Sequence, residues 1–365
     1  MRKILDTGEI EPRQESNANP RWLVVRSQQW PISFHLDRRV PPILIALSTV
    51  TLVAMAWSLT QGEYPIPVLD AIATVLHLET GQPEYAFIIN TLRLPRILAA
   101  WGVGMALAIA GTLTQGITRN PLAAPGIIGV NAGASLAAVT ALVIFPNAPA
   151  AILPLAAFSG ALAIAVLIYL LAWKGGSSPV RLILVGIGFS LIAGALTNLM
   201  VTFGDLYNVS QALVWLAGSV YECNWQQVLA FVPWLVVFGL GSLLMTRHLN
   251  AVQLGDDIAR SLGSRLEWQR SLLLLNSVAL AGAAVATAGN IGFVGLMAPH
   301  LARQLVGPCH GSLLPVAAMT GGLLVVVADL VGRLLFSPIE LPCGLIAAIV
   351  GAPYFAYLSI RNRRR

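Results

Sequence analysis

The sequence predicts an all-α, polytopic membrane protein of about ten transmembrane helices, and two observations carry that reading. The 365 residues are 56% hydrophobic and 10% charged, whereas a soluble domain carries roughly 25% charged residues. Long apolar runs lie near 43–61, 94–114, 126–146, 150–172, 182–203, 226–246, 271–289, 291–306, 312–335 and 341–360. Most reach the ~20 residues that take a helix across the hydrocarbon core. They lack the every-second-residue alternation of a barrel strand. In lipid each backbone polar group needs an internal partner, so these spans are helices.

The flanks differ in composition. Residues 1–42 read as a polar, cytosolic tail, and no apolar stretch directly follows Met1-Arg2-Lys3, so no cleavable signal peptide is expected. Trp22 and Trp30 in that tail suit a membrane surface. Residues 361–365 form a basic cytosolic tail after the membrane domain of 43–360. Cys223, Cys309 and Cys343 are far apart and form no C-x-x-C pattern, so they read as small packing residues rather than a disulfide or zinc framework.

Loop charge orients the chain, because Lys and Arg stay on the cytoplasmic side. With the N-terminus inside and ten crossings, 19 of the 22 basic residues fall inside. The exceptions are Arg93 and Arg96 in LRLPR, and Arg333. Carboxylates show the opposite tendency, with Glu63, Asp70, Glu79, Glu84, Asp205, Glu222 and Glu340 in outer connections. Insertion gives no reason for positive charge outside. An acidic soluble partner docking there gives one, and snorkelling to lipid phosphates or pairing with neighbours such as Asp329 or Glu340 gives another.

Several chemistries are excluded. Neither lysine, Lys3 nor Lys174, stands in a G-x-x-x-x-G-K-[ST] loop, so the chain has no ATP site of that kind. No histidine has a second ligand at metal spacing, and His300 reads as a packing or capping residue. The middle of every span is free of charge, which argues against an ion-coupled secondary carrier. No cofactor, metal site or nucleic-acid partner is expected, and energy must come from another subunit.

The long inner connection 247–270 looks structured. Gly255 can end one short helix, Asp256 and Asp257 suit the start of the next, and Gly263 can stop it. Leu254, Ile258, Leu262 and Leu266 recur every fourth residue around Ala259, making an apolar stripe within the element 249–267. Such a stripe fits a groove on a partner protein or the lipid interface. Three further blocks are rich in glycine and proline: RNPLAAPGIIGVNAGAS with Asn120, Pro121, Gly129 and Gly133; GNIGFVGLMAP with Gly292, Gly295 and Pro299; and ELPCGLIAAIVGAPYF with Pro342, Gly344, Gly351 and Pro353. Small residues at such spacing let membrane helices approach closely.

These blocks in this order, together with WLAGS, LNAVQLGDDIARSLG and ADLVGR, resemble the FecCD family of permeases, the membrane subunits of ABC importers for iron siderophores, haem and cobalamin. The resemblance spans about residues 45 to 360. It implies a type II importer permease of ten helices that pairs with a second permease subunit, identical or paralogous, around a shared path. Two ATP-binding cassette subunits would bind inside, at Leu254, Gly255, Ile258, Ala259, Leu262 and Gly263. A periplasmic or lipid-anchored binding protein would dock outside, at Arg93, Arg96 and Arg333, and the expected cargo is a ferric siderophore, with cobalamin or haem as alternatives. The chain departs from the family pattern at Cys343 and Ala347, and at Ala124 and Gly126, where members often carry a carboxylate.

Overall fold

The computed structural model describes residues 22–26, 33–62, 64–78, 82–149, 151–173, 176, 178–335 and 339–362. Most of the N-terminal tail including Trp30, the charges Glu63, Glu79 and Lys174, and the terminal arginines 363–365 lie outside them. Within the segment expected as a polar tail, β1 (Trp22–Arg26) and β2 (Ser33–Asp37) pair antiparallel, with Trp22 opposite Asp37 and Arg26 opposite Ser33. Buried Asp37 accepts the Arg39 N–H at 3.0 Å where the chain turns into α1 (Val40–Thr60).

The connection after α1 is not an open loop. It holds α2 (Val68–Val75), α3 (Pro83–Phe87) and a π-helical turn, Ile88–Arg93, that runs into α4 (Leu94–Thr118). A 3-10 turn at Pro125–Ile128 precedes α5 (Val130–Ile144), followed by α6 (Ile152–Ala172), α7 (Pro179–Phe203) and the short α8 (Leu206–Ala217). Next come α9 (Trp225–Leu244), α10 (Thr246–Gln253), α11 (Asp256–Ser261) and α12 (Leu266–Ala288). The chain ends with α13 (Val294–Val306), α14 (His310–Leu334) and α15 (Cys343–Asn362).

Every expected apolar run thus contains a helix, among them α1, α4, α6, α7, α9, α12 and α14, which are long and apolar enough to cross a membrane. The other three, α5, α13 and α15, are shorter in their apolar part or overall. Two start late for a visible reason. The run from 126 begins as a 3-10 turn closed by Gly129 at φ +76°, and the run from 291 becomes helical only after Phe293, which is left-handed at φ +63°.

Burial sorts the helices into layers. The hydrophobic window of the span containing α4 is 83% buried, against 22% for α1, α7 and α9. The sequence of α4 explains its central place: Ala99, Ala100, Gly102, Gly104, Ala106, Ala108, Ala110, Gly111 and Gly116 leave room for backbones to approach on several sides. Lipid tails are as apolar as leucine, so helices associate through close packing and hydrogen bonds rather than through exclusion from water. A Cβ on Gly104 would overlap the Gly321 carbonyl of α14, and one on Gly111 would overlap the Gly295 carbonyl of α13. Against α12 the contact is polar, with the Thr114 and Ser277 hydroxyls 2.9 Å apart and Ser277 donating to Ala110 O at 3.0 Å.

The glycine contacts give a direct test. Gly104→Val or Gly111→Val should cost at least about 2 kcal/mol through overpacking, read as a lower melting temperature of the detergent-purified protein. Gly292→Ala, beside open space, should stay within about 0.5 kcal/mol. Equal melting for all three would disprove the packing account.

Candidate functional site

The residues expected to meet partners lie at two opposite ends of the bundle. At one end α1 and α14 finish and α4 begins, and this gathers Arg93, Arg96 and Arg333, which stand 240 positions apart in sequence at the extremes. All three are buried, at 8%, 7% and 6% exposure. Arg96 donates from Nε and Nη2 to Asp329 Oδ1 at 3.0 and 2.7 Å, and from Nη1 to Glu340 Oε2 at 2.7 Å. Its guanidinium also sits 5.3 Å from the centre of the Tyr221 ring. Arg333 is one turn beyond Asp329 on α14, with Nε 3.3 Å from Asp329 Oδ2, and it bonds the Ser58 hydroxyl near the end of α1.

Arg93, in the π-helical turn, differs from the other two. It donates to the carbonyls of Leu59 and Tyr64, each at 2.6 Å. Among the described residues, then, the three guanidiniums meet two carboxylates, and Arg93 is the member held by carbonyl oxygens. The structure displays the pairing with Asp329 and Glu340 that the sequence offered as one explanation of these charges. Asp329 fixes a geometry as well as a charge, since both of its oxygens meet the Arg96 fork.

At the other end, α10 and α11 form the element expected to meet an energy-supplying subunit. Gly255, at φ +113°, turns the chain from α10 into α11, and Gly263 follows the last turn. Leu254, Ile258 and Leu262 are 57%, 51% and 65% exposed. Ala259 faces inward and is fully buried, and Leu266 is buried in the first turn of α12, so the apolar stripe of the sequence splits into three exposed residues and one core residue. Leu249 and Val252 bury the other face of α10.

Polar contacts at this end were invisible in the sequence. Asp256 Oδ1 accepts from Arg270 Nη2 at 2.9 Å and from Arg119 Nη2, although Arg119 is 137 positions away. Burial and the neighbouring Arg270 pull the Arg119 guanidinium below its ordinary pKa. Asn250 Oδ1 accepts the His310 backbone N–H at 3.0 Å and lies 2.7 Å from His310 Nδ1, joining α10 to the start of α14. Arg303 donates to Gln115 Oε1 at 2.9 Å, which ties α13 to α4.

The glycine and proline residues divide by role. Gly133 meets Gly160 where α5 crosses α6, Gly295 meets α4, Gly344 packs on the Ala217 carbonyl, and Gly351 on the Phe293 side chain. Gly129 is needed for its left-handed turn and also packs on Ile164 and Ile168. Asn120 caps a turn by accepting the Leu122 N–H at 2.9 Å. Pro299 is buried within α13, while Pro121 and Pro353 are exposed and Pro342 precedes α15. Gly292, expected to pack, has nothing within 4 Å of its Cβ position. His300 pairs with Gln304 and lies edge-on to Tyr354 at 6.0 Å, a contact between α13 and α15. Of the cysteines, Cys223 and Cys343 are buried, and burial pushes the Cys223 thiol up to about 12.

A cavity of about 560 Å³ opens at the arginine end, between the end of α5, the start of α6, α8 and the end of α12. Trp215, Tyr221, Gln211, Glu222 and Thr287 are among its lining residues. No sequence pattern marked it, because its walls come from five separate segments.

Comparison with known proteins agrees with this architecture. The chain is 44% identical over 327 residues to the "Probable siderophore transport system permease protein YfhA" of Bacillus subtilis (strain 168), an alignment covering 88% of this chain and 95% of that one. It is 40% identical over 318 residues to the "Cobalamin import system permease protein BtuC" of Halobacterium salinarum, covering 87% of this chain and 85% of the relative. A solved metal-chelate type ABC transporter in an inward-facing conformation superposes with a TM-score of 0.80 at 33% identity, covering 88% of this chain and 99% of that chain. The model of the FecCD transport family matches residues 50–361. The chain is a polytopic membrane permease and belongs to the FecCD transport family.

Proposed function

We propose that this chain is a permease subunit of a binding-protein-dependent ABC importer and carries a ferric siderophore inward across the bacterial cytoplasmic membrane. The observation that carries the reading is its 44% identity along 95% of a siderophore permease. Both termini lie in the cytosol. Two ATP-binding cassette subunits supply the energy, and the path is shared with a second permease subunit. The permease performs no bond chemistry. It has states that bind its partners differently, and ATP shifts the balance between them.

Leu254, Ile258 and Leu262, presented by α11 and the residues that flank it, would enter a groove on the ATPase. An aqueous face seldom leaves three large apolar side chains more than half exposed in one short segment, and such a patch rimmed by charge marks a contact surface. At the far end the binding protein would dock over the arginine cluster. Arg93 is the best candidate to meet its carboxylates, because among the described residues carbonyls rather than carboxylates hold it. Arg96 and Arg333 would set the platform beneath. A second reading, cobalamin as cargo, is favoured by the 40% identity to a cobalamin permease.

Three measurements test this. Uptake of radiolabelled ferric hydroxamate, ferric citrate and cobalamin by iron-starved cells, with and without the gene, should show loss of a ferric chelate alone; loss of cobalamin alone would transfer the assignment to the second reading. Ile258→Asp should abolish co-purification of the ATPase while melting changes by no more than about 0.5 kcal/mol, as for a surface substitution; retained co-purification would remove α11 from the interface. Arg93→Gln should raise the Kd for the binding protein about tenfold at low salt and less at high salt, and an unchanged Kd would exclude Arg93 from docking.

A further inference from the structure

α11 is a helix of six residues between two glycines, Gly255 and Gly263, beside whose Cβ positions nothing lies within 4 Å. Such a segment is poorly braced by packing. Of its residues only Ala259 is buried. A partner pushing on Leu254, Ile258 and Leu262 would swing it unless something stiff joined it to the bundle.

Asp256 supplies that join. One oxygen, Oδ1, accepts from two guanidiniums on two different helical units: Arg119 at the end of α4, and Arg270 in the second turn of α12. The Arg270 side chain is fully buried, whereas those of Arg119 and Asp256 are 36% and 31% exposed. Asp256 therefore links a rim residue and a core residue. α4 and α12 are also the two most buried of the long helices, and they hold each other through Thr114, Ser277 and Ala110.

We propose that Asp256 is the positioning residue that makes α11 move with α4 and α12 as one body, so that displacement of the ATPase-facing side chains reaches the central helices. This rests on the reading of α11 as the ATPase contact. Arg119 is in the left-handed conformation, φ +52°, at the point where α4 gives way to the turn before α5. A pull on its guanidinium thus acts where α4 ends. Arg270 anchors the same carboxylate to a helix that cannot follow it alone, being packed against α4, α6 and α9.

The test uses the complete importer, with its ATPase and binding protein, in proteoliposomes, and reads transported radiolabelled ferric chelate per ATP hydrolysed. Asp256→Asn should keep the ATPase bound and hydrolysing, and should lower chelate moved per ATP about tenfold, within the usual range of coupling between sites. Asp256→Glu should restore most of it. Arg119→Gln, at a position whose side chain is 36% exposed, should lower the ratio likewise, and the double variant should be no worse than the single ones, because the two residues act through one contact. An unchanged ratio in Arg119→Gln and Asp256→Asn, or losses that multiply in the double variant, would overturn the proposal. So would loss of ATPase binding in Asp256→Asn beside normal transport in Arg119→Gln, since Asp256 would then only shape the contact face. Failure of the underlying reading looks different: Ile258→Asp would leave the ATPase bound.

Discussion

The constraint on which this architecture depends is the close approach of α4 to its neighbours. Helices in lipid gain nothing from leaving water, so their association rests on backbone proximity, dispersion and hydrogen bonds. Gly104 against Gly321, and Gly111 against Gly295, bring α14 and α13 to α4 with no side chain between. Ser277 and Thr114 do the same for α12 with a hydrogen bond. Once three helices surround α4, the outer ring of α1, α6, α7 and α9 can remain largely exposed, as a lipid-facing surface requires.

The same arrangement decides where charge can go. Among the described residues charged groups collect at the ends of the bundle, and each buried one has a polar partner. Three arginines at one end meet Asp329, Glu340 and carbonyl oxygens. At the other, Arg270 and Arg303 meet Asp256 and Gln115. Both ends therefore hold position through directed polar contacts, while the centre holds it through shape.

Much of this was legible in the sequence, for identifiable reasons. Span positions follow from hydropathy, because a membrane forces apolar length. The turn, short helix and turn of 254–263 follow from Gly255, Asp256, Asp257 and Gly263, whose conformational preferences are local. What was not legible is how the partners are shared out. The sequence offered Asp329 and Glu340 for the outer arginines, but not that Arg96 takes both, 233 and 244 positions away, or that Arg93 settles on carbonyls instead. The exposure of Leu254, Ile258 and Leu262 was written in the period, but the burial of Leu266 was not, because it belongs to the next helix. Gly292 fits the spacing of a packing residue and packs on nothing, since spacing records a face and not what lies opposite it.

The energies of the two ends constrain how such a protein can change state. Breaking a buried ion pair by removing one partner costs about 3–5 kcal/mol, while taking a two-state equilibrium from 1:99 to 99:1 needs about 5.5 kcal/mol of differential binding. A transition that separated Arg96 from Asp329 would consume most of that bias at one contact. The cheaper motion keeps α4 and α14 together. The side chains of Arg96 and Asp329 are 9% and 3% exposed, so theirs is a contact to preserve. Movement is therefore expected to carry the central helices as a unit, with adjustment concentrated in the turn after α4, in the short α5 and α13, and at the ends of the outer helices.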